Sequence, residues 1–321
     1  MKVIINNILW ATVLISVESA ISANNLDYET FDSDPMSRGW RIHGDKSLFV
    51  WDEDAKSLQV NWDSEKPNSF FYKPIGRVLT DADSFAFTFQ ITLDLVKAGY
   101  LEGKPYTFEI ALGLLNLTSA KEKNFIRGTG SDSPNLVEWD YFPDTGFGAT
   151  VSPALASGNS QFSAGFTFPA ELLIGKSYCV KLIFSAEERM LKAEMLENGK
   201  PWEKIADVKI GSDFSGFSVD VFSISSFSAK DSESSLFAIG TIDEIALSAS
   251  NSLPRLFGMK IKDSKWQAKS FLLEPDKWKV ERSNDMIQWD RLSRNFDSVN
   301  YFQYFIDAST NKGILFYRLN R

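Results

Sequence analysis

The stretch Ser84–Leu95, SFAFTFQITLDL, alternates with period two over most of its length. Phe85, Phe87, Phe89, Ile91 and Leu93 fall on one side of an extended chain. Ala86, Thr88, Gln90 and Thr92 fall on the other. A helix would scatter both sets around its axis, so this run is a strand with one apolar face. The same habit recurs in YTFEIALGLLNL, with Phe108, Ile110 and Leu112, and in SYCVKLIF, with Tyr178, Val180, Leu182 and Phe184. MLKAEMLENGKPWEK reads as a hairpin, because Asn198-Gly199 tolerates the positive φ angles of a tight turn. FSGFSVDVFSISSFS and LFAIGTIDEIALS add two more strands. The only helical expectation is a short turn at FPAELLIGKSY, started by Pro169 and ended by Gly175. With 26 Phe among 321 residues, the composition suits pleated, half-buried surfaces. The expected fold is all-β: one antiparallel sandwich over residues 27–250, followed by a small β-module over 254–321.

Charge supports the division. Residues 252–321 hold 13 basic and 8 acidic side chains, a net of +5, whereas residues 1–251 hold 21 and 34, a net of −13. The Ser-, Asn- and Pro-bearing SASNSLPRLFG marks the boundary. An acidic large unit does not suit nucleic acid. At the start, Lys2, the apolar run Ile8–Val17 and the small residues Ser19, Ala20, Ser22 and Ala23 predict a signal peptide over 1–23. That implies export, to the extracellular space or the cell surface. The apolar run is short for a bilayer span, and no longer one follows. The lone Cys179 allows no intrachain disulfide, and its strand context points to a buried, inert thiol. The lone His43 argues against Ser–His catalysis and against a multi-His zinc site.

Carboxylates therefore dominate the candidate chemistry, and Glu138 and Asp140 in NLVEWDYFPDTGFGATVSPALAS stand out. Two residues apart on a strand, they share a face, and Trp139 and Tyr141 share the opposite one. Trp139 and Tyr141 filling the core while the acids meet water is the plain structural reading. In the functional reading, Glu138, Asp140 and Arg127 line a groove and accept or donate hydrogen bonds to sugar hydroxyls. Asp144 and Phe147 then sit on the Gly-bearing loop at its edge. Trp40, Trp51, Trp62 and Trp202 are further candidate stacking surfaces, most of them expected in the core.

The arrangement over 27–248 resembles the concanavalin A-like lectin/glucanase superfamily, in particular its laminin G-like branch. The residues that carry the resemblance are GWRIHGDKSLFVWDEDAKSLQVNW, the hairpin LLIGKSYCVKLIFSAEERMLKAEMLENGKPW and the closing GTIDEIALS. It implies two antiparallel sheets in a jelly roll over 27–250, with a concave face that often takes carbohydrate. It also implies a possible calcium site where chain ends meet, for which Asp32, Asp34 and Asp243 are the candidate ligands. The C-terminal WKVERSNDMIQW and FYRLN resemble a small β-module of secreted bacterial proteins, accessory or surface-attaching in role. Laminarinase-type hydrolases of the superfamily carry Glu-x-Asp-x-x-Glu or Glu-x-Asp-x-Glu. Here Glu138 and Asp140 match, and Phe142 or Pro143 stands in the third place. Three readings follow. The first is a non-catalytic protein that binds a polysaccharide or cell-surface glycan. The second is a hydrolase or lyase that uses Glu138 and Asp140, with Asp144 as a stand-in for the third acid. The third is a structural exoprotein without a ligand.

Overall fold

The computed structural model describes residues 28–127, 134–250, 256–262, 265–292, 294–296, 300–307 and 315–320. The segment read as a signal peptide lies outside them. Phe85–Ala98 forms the centre of a nine-stranded sheet, paired antiparallel with Ser177–Ser185 on one side and Leu236–Ala249 on the other. A seven-stranded sheet lies opposite. Its order is Phe162–Ala164, Thr150–Ala156, Leu136–Phe142, Ile110–Leu115, Ser218–Ser226, Ser69–Thr80 and Arg41–His43. The alternation of Phe85–Leu93 turns its aromatic face into the space between the sheets. There Phe87 meets Phe222 edge-on at 5.7 Å, and Phe89 meets Trp139 at 5.6 Å. Such contacts between facing apolar surfaces make an all-β antiparallel sandwich.

Asn198 and Gly199 hold φ angles of 49° and 77°, as the hairpin reading requires. The FPAELLIGKSY segment, in contrast, contains no helical turn. Its donors are committed elsewhere: Ala170 N–H to the Ala149 carbonyl, Leu172 N–H to the Tyr141 hydroxyl and Leu173 N–H to the Tyr178 hydroxyl. Partners other than an i→i−4 ladder thus take these donors, and the local turn there is the i→i−3 bond from Lys176 N–H to the Leu173 carbonyl. A one-turn helix, Leu117–Ala120, occurs instead where Asn116 caps it by accepting from Ser119 N–H.

Among the described residues, the C-terminal segment forms two small sheets, one of four strands and one of three, with no ladder to the sandwich sheets. It rests on the sandwich through side chains. Phe271, Tyr301 and Phe302 cover Ala86, Cys179 and Ala246, the small residues on the outer side of the nine-stranded sheet. Lys269 Nζ donates to Glu244 Oε2 at 2.9 Å and lies over the Tyr28 ring at 4.6 Å. Among the described residues, no helix is long and apolar enough to cross a membrane.

Candidate functional site

Period two in Leu136–Phe142 buries Trp139 and Tyr141 between the sheets and turns Glu138 and Asp140 to the outer side. Small residues surround the two acids there. Ala111 and Gly113 lie opposite them on one neighbour, and Ser152 and Ala154 on the other. Gly113 is required at its place, since a Cβ would lie 2.3 Å from the Val137 carbonyl and 3.1 Å from Glu138 Cγ. Glu109 shares the outer face with Ala111 and Gly113 by the same alternation.

These acids do not meet water. Arg127, carried past the helix Leu117–Ala120, lays its guanidinium among them. Nε donates to Glu138 Oε2 at 3.0 Å, Nη2 donates to Asp140 Oδ2 at 3.0 Å, and Glu109 Oε1 lies 3.4 Å from Nε. All four side chains are at most 2% exposed. The guanidinium also stands 5.4 Å from the Phe227 ring, which packs with Phe70 and Phe125. The one guanidinium lies within 3.4 Å of all three carboxylates. No sugar oxygen reaches Glu138 or Asp140 in this arrangement. Tyr141, the nearest candidate base for lyase chemistry, is pushed up to about 12 by burial, and its hydroxyl accepts from Leu172 N–H. It is core, not a base. His43 is drawn below its usual range by desolvation and by Lys121, and it stacks on Phe70.

Asp144 and Phe147 lie apart from this cluster, on an exposed loop. Asp144 accepts from Gly146 N–H at 2.9 Å, and Thr145 donates to the Gly148 carbonyl at 2.8 Å. Phe147 is 77% exposed and sits 6.1 Å from Phe168, itself 55% exposed. Phe166 continues the apolar surface at 56%. The loop is braced: Val151 and Thr167 exchange two main-chain bonds of 3.0 Å, and Ala170 N–H reaches the Ala149 carbonyl at 2.7 Å. Beside the rings lies a cleft of about 410 Å³ bordered by Phe166, Phe168, Lys204 and Ile205. Of the tryptophans, Trp40 and Trp62 are core, while Trp51 and Trp202 are half-buried.

The three candidate calcium ligands do different work. Asp34 caps a turn by accepting from Met36 N–H, and Asp32 accepts from Thr30 Oγ1. Asp243 accepts from Glu244 N–H and is raised to about 7, chiefly by burial, with the charges of Glu244 and Asp32 adding to it. Among the described residues, no three His, Cys, Asp or Glu side chains are placed to hold a metal ion.

Glu109 and the Phe166–Phe168 pair were not singled out by sequence. The parity of Glu109 against Phe108, Ile110 and Leu112 was the available signal for its face, but its nearness to Glu138 depends on strand pairing. Nothing local brought Phe166 and Phe168 beside Phe147.

No family model matches the chain, and no curated protein matches it by sequence. Solved structures do match. A legume lectin-like domain from Entamoeba histolytica is 10% identical with a TM-score of 0.42, covering 69% of this chain and 95% of that one. Peanut lectin is 12% identical with a TM-score of 0.42, covering 70% and 98%. An alginate lyase is 9% identical with a TM-score of 0.40, covering 70% and 94%. The likeness is one of strand arrangement. At such identities and scores it carries nothing about ligand or reaction.

Proposed function

We propose that this chain is an exported, non-catalytic saccharide-binding or adhesion protein that takes its ligand at the loop edge around Phe147, Phe166 and Phe168. The observation that carries the reading is the contrast between two surfaces. The carboxylates that chemistry would need are buried together with Arg127, none more than 2% exposed. Three phenyl rings are instead more than half exposed, Phe147 on the loop beside Asp144 and Thr145 and Phe166 and Phe168 on the segment bonded to Val151. An exposed aromatic patch rimmed by polar groups marks an interaction site, and rings beside hydrogen-bonding groups suit the apolar faces and hydroxyls of a sugar. The apolar run and small residues at 8–23 support export.

The enzyme reading keeps one specific support, since Glu109 supplies a third acid beside Glu138 and Asp140. It needs Arg127 to leave. A glycan array with the exported protein, followed by reducing-end assays on each hit, separates the two. Binding without release of reducing ends is expected. Turnover that Glu138→Gln abolishes would establish the enzyme instead, and an array with no hit would remove the saccharide reading.

A further inference from the structure

A second cleft, of about 510 Å³, opens beside the strand Met190–Glu197. On that side the strand pairs with Lys200–Pro201 near one end and with Val208–Lys209 near the other. Between them residues 203–207 bow away. Among the described residues, no strand pairs with Lys192–Glu194 on this side. Trp202 N–H donates to the Met195 carbonyl at 2.9 Å, so the main chain of Met195 faces the gap side. Antiparallel ladders alternate, so the N–H and C=O of Ala193 face the same way, into the gap. The C-terminal module closes the far wall with Tyr301, over which Lys181 stands at 5.1 Å. Trp202 lines the other wall.

We infer that this junction is a second saccharide site, selective for neutral oligosaccharides; the inference rests on the saccharide-binding reading above. Four features converge. The volume lies in the range of small-ligand pockets, and such pockets favour domain junctions. Trp202, half-buried, supplies an apolar face with a polar edge, and the buried Tyr301 closes the wall beneath Lys181. Ala193 supplies a main-chain donor and acceptor together, which matches a hydroxyl that both donates and accepts. The charged rim is balanced: Lys181, Lys192 and Lys204 against Glu194, Glu203 and Asp207. A polyuronate needs a surplus of cations, and this cleft has none. Lys204 and Ile205 border both clefts, so the two sites lie on either side of one loop.

The test is calorimetric stoichiometry on the full exported chain. The probes are neutral gluco- and manno-hexasaccharides, with an oligouronate as the charged control. The variants are Trp202→Ala, the exposed pair Glu203→Ala with Asp207→Ala, and Phe147→Ala with Phe168→Ala, each checked by thermal melting. The exposed acidic pair guards against a Trp202→Ala that fails to fold. Two neutral chains bound per protein, falling to one in the cleft variants, is expected. The affinity lost at the cleft should be on the order of tenfold. One chain bound, lost in the cleft variants and kept in the Phe variants, supports the cleft and overturns the loop-edge reading. One chain bound, lost only in the Phe variants, overturns the cleft and leaves the function standing. Preference for the oligouronate at the cleft overturns its neutral selectivity. No binding by any probe overturns both.

Discussion

Arg127 decides how the outer side of the seven-stranded sheet behaves. A guanidinium offers several donors in a rigid fork, and here the fork serves Glu109, Glu138 and Asp140 at once. Its removal takes the cation out of a buried carboxylate cluster. Arg127→Ala should therefore destabilise the protein by about 3–5 kcal/mol, read by urea unfolding. A loss below about 1 kcal/mol, the range of surface pairs, would mean that the cluster is solvated. Asp243 gives a pH signature. Its folded-state carboxyl titrates near 7, raised first by burial, against about 4 in an unfolded chain. The native state then binds the proton more tightly, so the contribution is fully present below about pH 4 and is lost as pH rises to about 7. Asp243→Asn keeps an acceptor for Glu244 N–H and removes the charge. The variant should melt above wild type at pH 8 and together with it near pH 4. Identical pH slopes would contradict the raised titration.

At the scale of elements, the pairing of Ile110–Leu115 with Leu136–Phe142 sets the acid cluster. Gly113→Ala would drive a methyl against the Val137 carbonyl and should cost about 1–3 kcal/mol. A melting temperature equal to wild type would show that the two strands are farther apart than described. This pairing also explains what was legible in advance. Period two in Phe85–Leu93, and the sharing of one face by Glu138 and Asp140, follow from single strands, so the sheet character and the inward Trp139 and Tyr141 could be read off directly. The Asn198-Gly199 turn is equally local. Arg127 reaches Glu138 over eleven positions and through a connection with no periodicity, so no spacing rule revealed that the acids would be covered. FPAELLIGKSY misled for a related reason. Its helix-like ends, Pro169 and Gly175, are local signals, but Ala149 and Tyr141, outside the segment, take two of its main-chain donors, and its own Tyr178 side chain takes a third.

At the scale of the whole molecule, the C-terminal module covers part of the outer side of the nine-stranded sheet. Cys179 lies under it, 3% exposed, with its sulfur 3.5 Å from Thr88 Oγ1. Its thiol reports on the contact. Labelling by a soluble thiol reagent should be slow in the native chain and at least about tenfold faster in Phe302→Ala, since opening of the contact governs access. Equal rates would show that the module does not shield it. The two outer sides thus end differently, one over the buried Arg127 cluster and one against the module, and the proposed saccharide surfaces are the loop edge and the module junction. The central claim is that binding belongs to that edge and not to the acids. Its most direct test is the affinity of one array-identified glycan for wild type, for Phe147→Ala with Phe168→Ala, and for Glu138→Gln, measured at a temperature where all three are folded. The account predicts that the Phe variant loses on the order of tenfold or more in affinity and that Glu138→Gln keeps wild-type affinity while melting lower. Loss of binding in Glu138→Gln, with the Phe variant unaffected, would contradict it.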